Sequence, residues 1–434
     1  MTQVESWRNW AGTEHATAAS VARPASTADV AAAVRAALAA GQILKPVGSG
    51  HSFTAAAATS GVRLELSRLS GLVRVDRKSR RVTFLAGTPL AVLNDALHEH
   101  GLALPNLGDI DVQTISGALA TGTHGTGARF GCLSTFVEEL ELVTGTGEVL
   151  RCSATQNPEV FQAARVGVGA VGVVTELTLR CVDAFVLQAQ ERPMRLADVF
   201  ASLDEQVAEN DHFEFYWFPY TDRAQVKANN RVVSSDRPLP RWREWLDDEF
   251  LSNTVFGGVC RVGRLVPALV PTISGVAARA LSARTFTDRS DRVFTSPRRV
   301  RFVEMEYGLP RAALAEAFAG LKYVIDSLPS KVVFPVEVRF TAADDIWLSH
   351  GYGRDNAYIA IHQFVGMEYE QYFRAFEALC TPLGGRPHWG KMHWRDGGSL
   401  ADAYPRFGEF LAVRDDLDPD RIFTNAYTRR ILGP

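Results

Sequence analysis

No Cys-x-x-Cys pair occurs in the chain, and its five cysteines (Cys132, Cys152, Cys181, Cys260 and Cys380) are odd in number and widely spaced. That spacing supports neither a zinc site nor a disulfide framework, so buried thiols in a reducing cytoplasm are the simplest expectation. Long apolar runs are missing too. The nearest approach, Leu265–Ala283, is interrupted by Pro267, Pro271 and Gly275 and bounded by Arg264 and Arg284. A membrane-spanning helix needs roughly 20 mostly apolar residues, so a packed helical pair is expected there instead. The first residues include Glu5 and Arg8 and contain no apolar core, so no secretory signal is read. Basic residues are scattered rather than blocked and the formal net charge is -3, which leaves no footprint for a nucleic-acid partner. Heptads, short repeats and low-complexity tracts are likewise absent.

What remains is a globular chain of 434 residues, long enough that two domains are expected. Up to about residue 185, helices and strands alternate. Ser26 and Asp29 read as a capping box for a helix through Val34 and Leu38, stopped by Gly41. Ile43–Val47, Arg63–Leu66 and Arg81–Leu85 read as strands. Thr88–Pro89 starts a helix that Gly101 closes. Phe136–Thr144 and Glu148–Cys152 read as a hairpin, and Val171–Arg180 is a β-branched strand. Beyond Phe185 the texture changes. In His212–Tyr220, period-two spacing puts Phe213, Phe215 and Trp217 on one strand face. Arg299–Tyr307, Val332–Thr341 and Asn356–Val365 are further alternating strands, with helices near Ala312–Ser327 and Tyr369–Cys380. This mixture predicts an antiparallel sheet with helices on one face. The tail after Asp416 is expected to pack back on the first domain.

Two glycine-rich loops carry the first chemical signal. Pro46–Ser52 (PVGSGHS) directly follows a strand, and Ser116–Gly127 (SGALATGTHGTG) repeats its mix of Gly, small hydroxyl residues and one His. Such loops turn consecutive backbone N–H groups toward an anion, and glycine tolerates the positive φ this requires. Neither ends in Gly-Lys-Ser/Thr, so neither is a Walker A loop; together they suggest a diphosphate cradle. Gly167, Gly169 and Gly172 spell the dinucleotide fingerprint G-x-G-x-x-G. That motif works only between a preceding strand and a following helix. Here a helical Pro158–Arg165 precedes it and a strand follows, so NAD binding of the Rossmann type is rejected.

Taken together, these segments resemble a family. RNWAG (Arg8–Gly12), RPASTADV (Arg23–Val30), PVGSGHSF (Pro46–Phe53), THGTG (Thr123–Gly127), FVEMEY (Phe302–Tyr307), EVR (Glu337–Arg339), HWGK (His388–Lys391) and the terminal FTNAYTRRILG match from end to end. The chain resembles the aldonolactone oxidase group of the vanillyl-alcohol-oxidase type of flavoproteins. That resemblance implies an α+β fold: a two-part FAD-binding domain with an inserted cap domain of antiparallel sheet plus helices. The implied division is 1–185, with 411–434 returning to it, for FAD, and 186–410 for substrate.

The resemblance also implies roles. His51 would be joined to the 8α-methyl of the isoalloxazine, a bond for which a neutral imidazole nitrogen is the natural nucleophile, and one that raises the flavin potential. Pro46, Val47, Gly48, Ser49, Gly50 and Ser52 would line the first cofactor loop. Asp109, Thr114, Gly117, Thr121, Gly122, Thr123 and Val174 would complete the cofactor site, with His124 a structural or phosphate-side residue. Glu337 and Arg339 stand two apart on a strand, hence on one face, where a carboxylate can take an alcohol proton and a guanidinium can hold oxygens or an anionic flavin. Lys391 would sit near flavin N1 and C2=O; His362 and His388 are second-tier substrate contacts. Glu304 and Glu306 also share a face and read as a solvated or salt-bridged pair. No metal ligand set is read.

The expected reaction is oxidation of an aldono-1,4-lactone such as the L-gulono-, L-galactono- or D-arabinono-lactone. Hydride would pass to FAD, and O₂ would then be reduced to hydrogen peroxide. Gly108, which lacks a Cβ, is expected to leave the oxygen path open. The alternatives are an alditol oxidase and a lactone dehydrogenase using a cytochrome, quinone or dye. Asn106–Ile110 resembles the lactone group, since the alditol group tends to carry Ser where Asp109 stands.

Overall fold

The computed structural model describes residues 5–233 and 237–434. Met1–Val4, part of the segment in which no secretory signal was read, lie outside them.

The N-terminal elements form where the sequence signals stand. Ser26 caps the helix Thr27–Ala39 by accepting from the Asp29 N–H, and Gly41 takes φ +61 just past its end. Leu44–Val47 and Ser20–Ala22 flank Val62–Glu65 in a three-stranded parallel sheet. Val137–Val143 and Val149–Ser153 make the expected hairpin. They join an antiparallel five-stranded sheet with Val173–Arg180, Arg81–Leu85 and Leu72–Asp76.

The second half is built on an eight-stranded antiparallel sheet. At its centre, His212–Trp217, Val336–Thr341, Asn356–Phe364 and Phe302–Pro310 lie side by side in that order. One face of these strands is apolar: Phe213, Phe215, Trp217, Val336, Val338, Ile359, Ile361, Val303 and Met305 share a core with the helices Leu314–Ser327 and Glu370–Cys380. The other face carries Glu214, Tyr216, Glu337, Arg339, His362, Glu304 and Glu306. Strand pairing aligns Tyr216 with Glu337, Glu337 with Ala360, and Ala360 with Glu306. A continuous row of ionisable groups therefore crosses the sheet with only a methyl at its middle.

The tail forms a helix that the sequence reading omitted, and it contacts the segments around the first glycine loop. Asn425 caps Ala426–Leu432 and donates through Nδ2 to the carbonyls of Ala55, Ala56 and Ala58 at 2.8, 3.0 and 2.9 Å. Lys45, fully buried on the strand before the first glycine loop, donates to the carbonyls of Gly169 and Phe423 at 2.9 and 2.8 Å. The loop, the G-x-G-x-x-G segment and the tail are thus tied at one point. Of the stretch Leu265–Ala283, Val270–Ala280 is an α-helix. The helix it pairs with, Phe256–Leu265, precedes the stretch, joined through the short turn Pro267–Leu269, so the pair is shifted toward the N-terminus of where it was expected. Among the described residues, no helix is long and apolar enough to cross a membrane.

Candidate active site

Two adjoining cavities lie against the glycine loops, and the second of them reaches the ionisable face of the sheet. They meet at His51, Ser52, Gln113 and Thr121, which line both.

The first cavity is a cradle without side chains in the way. Pro46, Val47, Gly48, Ser49, Gly50, Ser52, Thr114, Gly117, Thr121 and Val174 line it. Gly50 takes φ +70, a conformation that L side chains rarely adopt. A Cβ on Gly48 would stand 2.3 Å from Thr114 Oγ1, and one on Gly117 would stand 2.9 Å from the same atom. That hydroxyl is buried and has no hydrogen-bond partner, an arrangement that normally calls for an absent ligand. The N–H groups of Ser49, Gly50, His51 and Ser52 likewise reach no protein acceptor among the described residues. Unpaired donors, an orphaned hydroxyl and glycine walls suit a diphosphate-bearing cofactor. Gly167–Val174 forms the opposite wall. The G-x-G-x-x-G run does lie between a helix and a strand in the order that excludes a Rossmann site, yet it borders the cradle, which its sequence did not suggest.

His51 stands at the junction, stacked on Trp10 with ring centroids 5.5 Å apart. Burial, then the neighbouring Lys391 cation, lowers its pKa to about 4, so the imidazole is neutral at physiological pH.

The second cavity is walled by the ionisable sheet face. Arg339 Nε bonds Glu214 at 3.1 Å and Nη2 reaches Asp109 at 3.0 Å, with Glu337 in contact on the same strand. Arg298 holds the other Asp109 oxygen at 2.9 Å. Tyr216 donates to Glu337 Oε1 at 2.8 Å. Since Arg339 engages that same oxygen, Oε2 has no protein partner among the described residues. Burial raises the Glu337 pKa to about 7; Asp109 and Glu214 add to the shift and Arg339 opposes it. Glu304 moves the other way. Burial works against its charge, but Lys391 and His362 together draw it down to about 2. Lys391 pairs with Glu304, and the two carboxylates Glu304 and Glu306 outweigh its burial and lift its pKa. His124 stacks on Tyr358 at 3.7 Å and pairs with Glu306 at 3.2 Å. Burial, His350 and Lys391 hold His388 well below the ordinary histidine range.

Gly108, His362, His388, Glu337 and Arg339 all line this second cavity. Asp109, Thr123, His124 and Lys391, expected beside the cofactor, line it too rather than the cradle. For Asp109 the reason is electrostatic, because Arg339, Arg298 and Lys391 hold its buried charge there. Gly122 lines neither cavity; it is a turn residue with φ +71 whose Cβ would meet His350 at 3.0 Å. Glu304 and Glu306 are buried and paired with Lys391 and His124, so of the two readings of that strand face the salt-bridged one holds and the solvated one does not. Glu214, Tyr216, Arg298 and Gln113 were missed. For the first two a signal existed, since they alternate with Phe213, Phe215 and Trp217. His124, Glu306 and His388 bring ligand atoms within 4.8 Å of one another. Lys391 already supplies the cation beside them, and we read the group as a hydrogen-bonded cluster.

A cofactor cradle joined through a histidine to a charged cavity defines an FAD-binding oxidoreductase, and comparison with known proteins agrees. An FAD binding domain model matches residues 18–153, and the D-arabinono-1,4-lactone oxidase model matches residues 177–431. The chain is 43% identical over 433 residues to an L-gulono-1,4-lactone dehydrogenase of Mycobacterium tuberculosis, covering 99% of each. It is 33% identical to the L-gulonolactone oxidase of Bos taurus, with 98% of each covered. A Streptomyces alditol oxidase is 32% identical, again over 98% of each. Cholesterol oxidase from B. sterolicum shares the fold, with a TM-score of 0.83 at 18% identity over 100% of this chain and 97% of that one. The chain belongs to the D-arabinono-1,4-lactone oxidase family.

The orphaned hydroxyl gives a test of opposite sign in two states. In protein stripped of flavin, Thr114→Val removes an unsatisfied buried polar atom and leaves Tm unchanged or higher. In flavin-loaded protein the same change loses a hydrogen bond worth about 0.5–1.5 kcal/mol, read as weaker flavin retention. Lower Tm without flavin and unchanged retention would contradict the cradle.

Proposed function

We propose that the protein oxidises a secondary alcohol of an aldono-1,4-lactone, the L-gulono-, L-galactono- or D-arabinono-lactone being the candidates. FAD supplies the hydride acceptor. Residues 1–185 and 411–434 hold it, and residues 186–410 shape the substrate cavity. His51 carries the flavin covalently; its neutral imidazole at the junction of the two cavities supports this.

The substrate lies over the sheet face. Glu337, with one carboxylate oxygen unpartnered and a pKa raised to about 7, takes the proton of the reacting hydroxyl. Tyr216 and Arg339 fix that carboxylate from its other oxygen. Arg339 also offers positive charge to substrate oxygens. Lys391 supplies the cation that offsets negative charge on reduction, with Glu304 holding it in place. His362 and His388 bound the substrate.

The observation that carries a lactone over an alditol is Asp109. It stands in the segment resembling the lactone group, and its carboxylate meets Arg339 at 3.0 Å. The residue that separates the two groups therefore touches the guanidinium that would hold the substrate. The buried, unpaired state of all five thiols supports a reducing, cytoplasmic setting.

For the acceptor we favour O₂, reduced to hydrogen peroxide. Gly108 lines the substrate cavity, where a Cβ would stand 3.3 Å from the His124 carbonyl and 3.4 Å from Thr123 Cγ2. A methyl there would be tight, and its neighbours would have to give by a few tenths of an ångström. The competing reading, a dehydrogenase, takes its support from the name of the mycobacterial relative.

Two experiments test this reading. Acid-precipitated protein should remain yellow, whereas His51→Ala should release its flavin or lack it; free flavin in the wild-type supernatant removes the covalent assignment. Gly108→Ala should leave flavin reduction by lactone unchanged and slow reoxidation in air. Slow reoxidation of the wild type itself, with fast turnover on a dye, makes the protein a dehydrogenase.

A further inference from the structure

Side chains on one face of a sheet fall into rows that cross the strands, and one such row ends at the active site. Strand pairing sets Arg284 opposite Glu191, Glu191 opposite Lys227, and Lys227 opposite Glu214. Glu214 in turn meets Arg339 of the next strand at 3.1 Å. The strands Arg284–Arg289, Val186–Arg195, Arg223–Val232, His212–Trp217 and Val336–Thr341 are adjacent in that order, starting from the edge of the large sheet. Charge along the row therefore alternates in sign from the sheet edge to the substrate cavity.

The row is not evenly tied. Glu191 is taken up by Arg284, whose Nε and Nη2 reach its two carboxylate oxygens at 2.8 and 2.9 Å. Lys227 is left to Glu214. Its Nζ stands 3.5 Å from Glu214 Oε1 and donates to the Val293 carbonyl at 3.3 Å. Both side chains are largely shielded from water, Lys227 at 18% and Glu214 at 7% exposure. Burial works against the charge on Glu214; Lys227 first and Arg339 after it overcome that and hold the carboxyl below its ordinary range. Lys227 lines neither cavity, so it reaches the chemistry only through Glu214.

Glu214 competes with Glu337. Both carboxylates draw on Arg339, Glu214 through Nε and Glu337 through Nη2. Both also lie within reach of the Tyr216 hydroxyl, which has one proton to give: Glu337 is 2.8 Å from it and Glu214 3.3 Å. Asp109 adds negative charge and is held by Arg339 and Arg298, while His362 acts on Glu337 from the strand on its other side. Lys391 is already engaged by Glu304. The carboxylates of Asp109, Glu214 and Glu337 thus share Arg339, Arg298 and Lys227, and of these cations only Lys227 comes from outside the cavity.

Resting on the reading of Glu337 as the base, we propose that Lys227 is a positioning residue for the proton transfer: it takes up the charge of Glu214 and so leaves Arg339 and the Tyr216 proton to Glu337. Removing the Lys227 charge has a definite sign. Glu214 then draws harder on Arg339 and on the Tyr216 hydroxyl, the charged form of Glu337 loses support, and Glu337 releases its proton only at higher pH.

Anaerobic flavin reduction by L-gulono-1,4-lactone, followed across pH, tests this. Lys227→Met keeps the length of the side chain and removes its charge. The acid limb of its rate profile should move up by about half to one pH unit, with the alkaline plateau and the flavin content unchanged. Lys227→Gln should do the same, and Lys227→Arg should keep the wild-type limb. Adding Glu214→Gln to Lys227→Met removes the competitor and should bring the limb back. A limb that stays in place in both the Met and the Gln variants overturns the proposal. So does an equal shift in Lys227→Arg, which assigns Lys227 to packing. A wild-type limb that survives in Glu337→Gln overturns the reading of Glu337 and this proposal with it.

Discussion

Side chains alternate across a β-strand, so a strand with one apolar face must send every second residue to the other side. In the four central strands of the large sheet, the apolar set is fixed by the core under the two long helices. The remaining positions have no choice of direction. Glu214, Tyr216, Glu304, Glu306, Glu337, Arg339 and His362 therefore face the glycine loops together, although they come from strands far apart in the chain. Slipping any strand by one residue would bury carboxylates under the helices and is excluded by the cost of unpaired buried charge. The hydrophobic core thus holds the active-site register.

Crowding that many ionisable groups into one cavity has an electrostatic consequence. Not all the carboxylates can be equally charged in a desolvated space, and the cations decide which ones are. Lys391 and His362 settle on Glu304 and keep it ionised. Arg339 is shared among Asp109, Glu214 and Glu337, and Glu337 is the one left nearest neutrality. Two carboxylates separated by one intervening strand are pushed apart in this way, one toward a fixed counter-charge and one toward a group that can exchange a proton. Across the junction, the same Lys391 helps keep His51 neutral, so one cation acts on both cavities.

How much of this the sequence disclosed follows from how local each feature is. The capped helix at Ser26, the hairpin at Gly145–Gly147, the glycine loops and the apolar stripe at Phe213, Phe215 and Trp217 are set by neighbours a few residues away, and they were legible. So was the shared face of Glu337 and Arg339. What escaped depends on distant partners. Nothing near Asp109 announces that Arg339 and Arg298 will hold it in the substrate cavity, 230 and 189 positions later in the chain. For Glu304 and Glu306 the choice between a solvated and a salt-bridged strand stayed open, because their partners, Lys391 and His124, lie on other elements. Glu214 and Tyr216 were within reach, since reading one face of a strand implies the other.

We propose that Glu337, whose surroundings raise its pKa to about 7, takes the substrate hydroxyl's proton from the sheet face. Below its raised pKa of about 7 it is protonated and cannot act, so activity should fall as pH falls through neutrality. The direct measurement is the anaerobic rate of flavin reduction by L-gulono-1,4-lactone as a function of pH, in the wild type and in Glu337→Gln. The wild-type rate should rise through about pH 7, and the variant should show a slow, pH-independent rate with flavin content preserved. A variant that reduces its flavin at the wild-type rate with the same pH profile would contradict this assignment.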